Sequence, residues 1–120
     1  MKKNYQQKLG EKGEKIAKKF LQKNNYKIID TNYHSRHGEV DIICQKNEWY
    51  VFVEVKTRTN YSFGRPEESV DDKKLEKFKN TIEKYIIENN LTDKKWRVEV
   101  LAITLDKKTN QAKVNHIKEI

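Results

Sequence analysis

The chain has 120 residues, 35% of them hydrophobic and 37% charged, with a formal net charge of +8. That length bounds residues 1–120 to one domain with a modest core, and no run approaches the roughly 20 apolar residues that cross a bilayer. The excess of Lys and Arg points to a polyanionic partner, nucleic acid first, met by phosphate neutralisation. One cysteine, Cys44, excludes an internal disulfide framework and suits a reducing compartment, with the cytoplasm as the default location. The basic start, Met1–Gly10, runs into further charge, so it does not read as a signal peptide.

Periodicity predicts an amphipathic helix from Tyr5 to Asn24, with Leu9, Ile16, Ala17, Phe20 and Leu21 on one stripe. Lys12, Lys15, Lys18, Lys19 and Lys23 fill much of the remaining surface. Gly10 and Gly13 lie inside this helix at a cost of about 1 kcal/mol each relative to Ala. They mark either a frayed start or a close approach of another backbone. Tyr26–Tyr33 alternates imperfectly and is predicted as a strand, followed by a polar turn at residues 34–38.

Strands at Glu39–Gln45 and Trp49–Thr57 are joined by so short a loop, around Lys46-Asn47-Glu48, that they must form an antiparallel hairpin. Arg58–Glu68 holds Gly64 and the only proline, Pro66, and reads as a long loop. Ser69 with Asp72 suggests a capping box opening a helix through Asn89, its stripe being Leu75, Phe78, Ile82, Tyr85 and Ile86. Strands are predicted at Trp96–Leu105 and Gln111–Ile117, with a turn at Asp106–Asn110 between them. The order αβββαββ points to an α/β or α+β fold with a helix-covered mixed sheet.

The hairpin carries charge where a core strand should have none. Alternation puts Val51, Val53 and Val55 on one face of the third strand, and Tyr50, Phe52, Glu54 and Lys56 on the other. On the second strand, Val40, Ile42 and Cys44 oppose Glu39, Asp41 and Ile43. A turn at Lys46-Asn47 sets Asp41 opposite Phe52, and a turn at Asn47-Glu48 sets it opposite Glu54. Both registers put Asp41, Glu54 and Lys56 on one face. Two carboxylates roughly 5–8 Å apart across a hairpin repel, and one divalent cation between them relieves that repulsion. Such hard oxygen donors suit Mg²⁺, or Mn²⁺, and a neighbouring lysine can hold a water or a developing phosphate charge. The competing account is an exposed Glu54–Lys56 ion pair worth about 0–1 kcal/mol.

Gly38-Glu39-Val40-Asp41, followed by Val51-Phe52-Val53-Glu54-Val55-Lys56-Thr57-Arg58, resembles the PD-(D/E)xK nuclease signature. More closely, the chain resembles the YraN family of uncharacterised bacterial proteins, expected to be endonucleases with a restriction-endonuclease-like core. The match takes in Gly10-x-x-Gly13-Glu14, Asn32, Phe63-Gly64, Glu68-Ser69-Val70, Lys73 and His116-Ile117, in order along nearly the whole chain.

The resemblance implies an α/β fold with a mixed five-stranded sheet flanked by helices. It also implies a metal held at Asp41, Glu54 and Val55, and catalysis by Asp41, Glu54 and Lys56. Val40 stands where the signature carries proline. By likeness to resolvases of this superfamily, Glu14 joins the catalytic set, branched DNA joins the substrates and a homodimer is implied.

Glu39, Ser62 and Glu68 are accessory candidates at the site's border. Arg36, His37, Arg58 and Arg65 flank the hairpin ends as phosphate-binding candidates. Cys44 faces away from the polar set and reads as core, so His34, His37 and Cys44 make no zinc site. Trp49, Tyr50, Tyr85 and Trp96 read as core rather than as base-stacking platforms. Two readings of function stay open: a Mg²⁺-dependent DNA nuclease, and a non-catalytic nucleic-acid-binding protein on a nuclease fold.

Overall fold

The computed structural model describes residues 3–59 and 72–118. The chain runs α1 (Tyr5–Lys23), β1 (Lys27–Ser35), β2 (Gly38–Lys46), β3 (Trp49–Thr59), α2 (Asp72–Glu88), β4 (Lys95–Leu105) and β5 (Ala112–Ile117). This is the expected order. The five strands form one sheet in the order β1-β2-β3-β4-β5, with β3 and β4 parallel and the other pairs antiparallel. The fold is α/β with a mixed sheet.

The helices begin and end where local chemistry dictates. Asn4 caps α1: its side chain accepts the Gln7 N–H, and the Gln7 side chain accepts the Asn4 N–H, a reciprocal capping box. Asn25, at φ 67°, turns the chain out of α1 into β1. A tight turn at Asn47-Glu48, with Asn47 at φ 54°, closes the β2–β3 hairpin and fixes its register. The imperfect alternation of β1 has a structural cause, a register shift between Ile28 and Asp30.

Each face of the sheet buries its own core. Ala17 and Leu21 of α1 pack on Ile42, Cys44, Val51, Val53, Leu101 and Ile103. Phe78, Ile82, Tyr85 and Ile86 of α2 pack on Val40, Ile43 and Phe52, with Tyr50 and Trp96 partly buried beside them. Cys44 is buried, as expected, and Trp49 packs at the edge of the α1-side core.

Of the two helix glycines, only one is a contact point. At Gly13, α1 lies so close to β3 that an added Cβ would fall 2.8 Å from the Thr57 Cβ and closer still to its hydroxyl. At Gly10 an added Cβ meets nothing within 4 Å. The Ser69–Asp72 capping box, the Phe63-Gly64 turn, Ser62, Arg65 and Glu68 fall wholly or partly outside the described residues.

These two glycines give opposite predictions. Gly10→Ala gains helix propensity without a clash and should stabilise by up to about 1 kcal/mol. Gly13→Ala makes the same gain but drives a rigid methyl into a β-branched side chain, so it should destabilise by about 1–3 kcal/mol net. Adding Thr57→Ala should recover part of that loss. Urea denaturation of the four proteins measures both signs, and a stabilised Gly13→Ala would refute the close approach.

Candidate active site

The hairpin does not stay paired along its length. β2 and β3 are matched from Lys46↔Trp49 to Ile42↔Val53, and the recorded ladder ends there. Beyond that point β2 continues with β1, through Val40↔Tyr33 and Glu39↔His34. β3 continues with β4, out to Thr59↔Leu105. The two strands fork, and Asp41 sits in the crotch. Its Oδ2 accepts the Val55 N–H at 2.8 Å, so a side chain takes a donor on the strand that has left the ladder.

This fork corrects the simple face-by-face expectation. Val40 packs with Ile43 and Phe52 on the α2 side, while Ile42 and Cys44 pack on the α1 side. Strict alternation along β2 therefore breaks at Asp41. Val51, Val53 and Val55 do share the α1 side as expected. Glu54 and Lys56, alternating with them, lie toward α2, where Lys74 approaches Glu54. Asp41 instead lines a cleft of about 390 Å³ beneath the N-terminal half of α1, with Glu14, Glu39, Val55 and Thr57. The register set by Asn47-Glu48 brings Asp41 and Glu54 to the same level from either side of the fork.

The ionised groups are held tightly. Glu54 and Lys56 are 16% and 15% exposed, and Lys56 Nζ stands 3.0 Å from Glu54 Oε1. Lys74 Nζ lies 3.4 Å from the same oxygen. Glu14 sits at the cleft rim, its Oε1 accepting from Asn32 Nδ2 at 3.0 Å, with Lys18 Nζ 3.4 Å away. Asn32 holds a left-handed backbone, φ 54°. Glu39 pairs with His34 at 3.2 Å and also borders Asp41.

The other expected residues are placed less centrally. Arg36 and His37 form the β1–β2 turn and line a separate groove of about 650 Å³ with Asn80 and Lys84 of α2. Arg58 lies on β3, two residues past Lys56, opposite Thr104. Among the described residues no three His, Cys, Asp or Glu side chains gather closely enough to cage a metal.

Comparison with known proteins shows which family the chain falls in. Residues 13–103 match the uncharacterised protein family UPF0102. A relative from Carboxydothermus hydrogenoformans is 42% identical over 93% of each chain. One from Clostridium novyi is 41% identical over 96% of each, and one from Caldicellulosiruptor bescii 43% identical over 92% of this chain and 94% of its own. The chain belongs to the UPF0102 family. This is the YraN family that the hairpin residues resemble.

Three buried acids in this UPF0102 protein are shifted, two upward and one downward. Burial first, then the nearby charges of Glu54 and Glu39, push the Asp41 carboxyl up to about 8 against the pull of the Val55 N–H. Burial likewise raises Glu54, with Lys74 opposing. Glu99, on β4 and fully buried, is different. Burial would raise it, but hydrogen bonds from His116 (2.6 Å) and Tyr26 (2.9 Å), and the His116 and Arg97 charges, overcome that and lower it. Arg97 Nε adds a third contact at 2.7 Å. Sequence reading missed this network, and also missed Lys74 and the Asn32–Glu14 bond, because each joins distant segments. His116, Asn32 and Glu14 within the family resemblance were the available hints.

The Asp41 shift fixes a pH dependence. A carboxyl raised in the folded state stabilises fully below its unfolded pKa, near 4, and loses that stability as pH rises toward 8. Between those limits the fold should lose up to about 1.4 kcal/mol per pH unit from this group. Asp41→Asn keeps an acceptor for Val55 and cannot ionise. It should be more stable than wild type at pH 8 and nearly equal at pH 4, by thermal melts in metal-free buffer. Parallel melting curves across pH would refute the buried acid.

Proposed function

We propose that this UPF0102 protein is a metal-dependent nuclease that hydrolyses DNA phosphodiester bonds, branched or otherwise structured DNA included. The observation carrying this reading is the fork: two buried acids, Asp41 in the α1-side cleft and Glu54 toward α2, stand at the same level of the diverging strands, near enough for the Glu54 charge to raise Asp41, with Lys56 3.0 Å from Glu54. Burial raises both acids, and the Glu54 charge raises Asp41 further.

The donor set fits Mg²⁺ or Mn²⁺. Mg²⁺ typically takes one or two carboxylates and fills its other positions with water and phosphate oxygens, so two acids are enough protein donors for it. Asp41 and Glu54, with Val55 between them, would hold the ion. When bound, a divalent cation there supplies Lewis-acid chemistry, lowering the pKa of water and offsetting phosphate charge.

The chain's own residues do the rest. The Val55 N–H fixes the orientation of the Asp41 carboxylate. Lys56, held at Glu54, places a positive charge and a proton donor where charge builds on the phosphate. Lys74 offsets Glu54 from the α2 side, and Glu14, oriented by Asn32, offers a further carboxylate at the cleft rim. No helix among the described residues is long and apolar enough to cross a membrane. The buried free thiol of Cys44 suits the reducing cytoplasm as the place of action.

One observation favours the non-catalytic alternative. Lys56 and Lys74 both close on Glu54, so that carboxylate is neutralised from within the chain. Cleavage of linear, single-stranded and four-way DNA with Mg²⁺ or Mn²⁺ separates the readings. Asp41→Asn, Glu54→Gln and Lys56→Met should each lower the rate by about 10²-fold or more, as expected for loss of one electrostatic group at a reacting phosphate. Mg²⁺ should also raise the wild-type melting temperature at pH 7 and leave Asp41→Asn unmoved. Salt-dependent DNA binding with no cleavage, and no thermal response to Mg²⁺, would establish the alternative.

A further inference from the structure

The outward surface of α1 carries a row of lysines that the cleft does not use. Lys8, Lys12, Lys15, Lys19 and Lys23 are spaced four, three, four and four residues apart, and all five are exposed. At 3.6 residues per turn they fall within an arc of about 80°, opposite the buried Ala17 and Leu21. The two acids of the helix stand outside that arc. Glu11 pairs with Lys3, and Glu14 pairs with Lys18 and Asn32. Lys12 donates to Asn110 at 2.9 Å. The other four lysines of the row contact no acid among the described residues. The row is about 22 Å long at 1.5 Å per residue. Its Lys8 end lies at the cleft, which Gln7 and Glu11 line, and its Lys23 end points away from it.

We infer that this ridge binds the phosphate backbone of a nucleic-acid duplex extending beyond the cleft. Over about 22 Å a duplex presents roughly thirteen phosphates on its two strands, more than twice the number of lysines in the row. Lysine is a point charge without the planar fork of arginine, so the contacts are sequence-independent. An anionic membrane would also attract the row, but surface helices hold membranes by an apolar face, and that of α1 is spent on the sheet. An acidic protein partner would want an apolar or aromatic centre, and the exposed aromatic on this side of α1, Tyr5, stands beyond the Lys8 end, beneath Lys107. The ridge deepens the nuclease reading: substrate at the fork continues as a duplex arm of about seven base pairs or more along α1. To that extent it rests on that reading.

The test is binding by fluorescence anisotropy in EDTA, where no cleavage can occur. Two quadruple variants of equal charge are compared: Lys8, Lys15, Lys19 and Lys23→Gln on α1, and Lys73, Lys77, Lys79 and Lys84→Gln on α2. Gln keeps helix propensity, and a Lys→Arg version of the α1 set keeps charge. The α1 Gln variant should bind a 20-base-pair duplex about tenfold or more weakly at low salt, with a salt slope lower by about 3–4. The α1 Arg variant should bind like wild type, and the α2 variant should lose much less. A hairpin with a stem of four base pairs, about 14 Å long, reaches only part of the row and should lose correspondingly less on the α1 Gln variant.

Equal losses on α1 and α2 would overturn the proposal, because the charge would then act only in bulk. Stronger ridge-dependent binding to phosphatidylserine vesicles than to duplex would overturn it as well. The nuclease reading fails separately. Ridge-dependent binding without cleavage in Mg²⁺ sinks the enzyme and keeps the ridge, whereas cleavage with unchanged salt slopes does the reverse.

Discussion

The bond from the Val55 N–H to the Asp41 carboxylate is the constraint on which the site depends. Where an antiparallel ladder stops inside a sheet, backbone donors lose their partners, and a buried unpaired N–H costs about 1–3 kcal/mol. Here a carboxylate takes that donor, and the fork between β2 and β3 is tolerated. The two halves of the sheet then separate, β2 staying with β1 and β3 with β4, and a cleft opens between them. One side chain thus satisfies the backbone and lines the cavity that the missing pairs create.

Opening such a cleft needs a lid and a floor that do not collapse into it. Gly13 lets α1 settle directly on Thr57, which brings Glu14 to the rim and keeps the helix N-terminal half over Asp41. On the other face α2 carries Lys74 to Glu54, so the acids of the fork are contacted from both layers. The β1–β2 turn is tied to α2 by the Ser35–Thr81 hydroxyl pair, 3.0 Å apart, with Thr81 fully buried. Both helices therefore act on the fork as well as on the core.

Much of this was legible in the sequence, and the limit was physical. Element order and helix stripes follow from periodicity, and the hairpin from a loop too short for anything else. The hairpin register was one of two readings, and Asn47, with its positive φ, decides between them. What could not be read was the break at Asp41. Alternation assumes a continuous ladder, and nothing local in Glu39-Val40-Asp41-Ile42 announces that β2 and β3 will part. Lys74 and the Glu99 network were hidden for a related reason. Their partners lie on segments joined only by the finished fold, such as Tyr26, Arg97 and His116 around Glu99.

Glu99 and Asp41 show how differently one sheet treats two buried acids. Glu99 is wholly excluded from solvent, yet a tyrosine, a histidine and an arginine surround it, and its carboxyl is easier to ionise than in water. Asp41 has one backbone donor and two acidic neighbours, and its carboxyl resists ionisation. A fold able to neutralise Glu99 so completely has the means to do the same for Asp41, and leaves it undone at the one place where the strands open. Positive charge is instead kept one step away, at Lys56 and Lys74 on Glu54 and in the row along α1. A net charge of +8 then surrounds an acidic cleft. Under the proposed nuclease function, that distribution would draw a polyanion to the surface and leave the fork to the divalent cation.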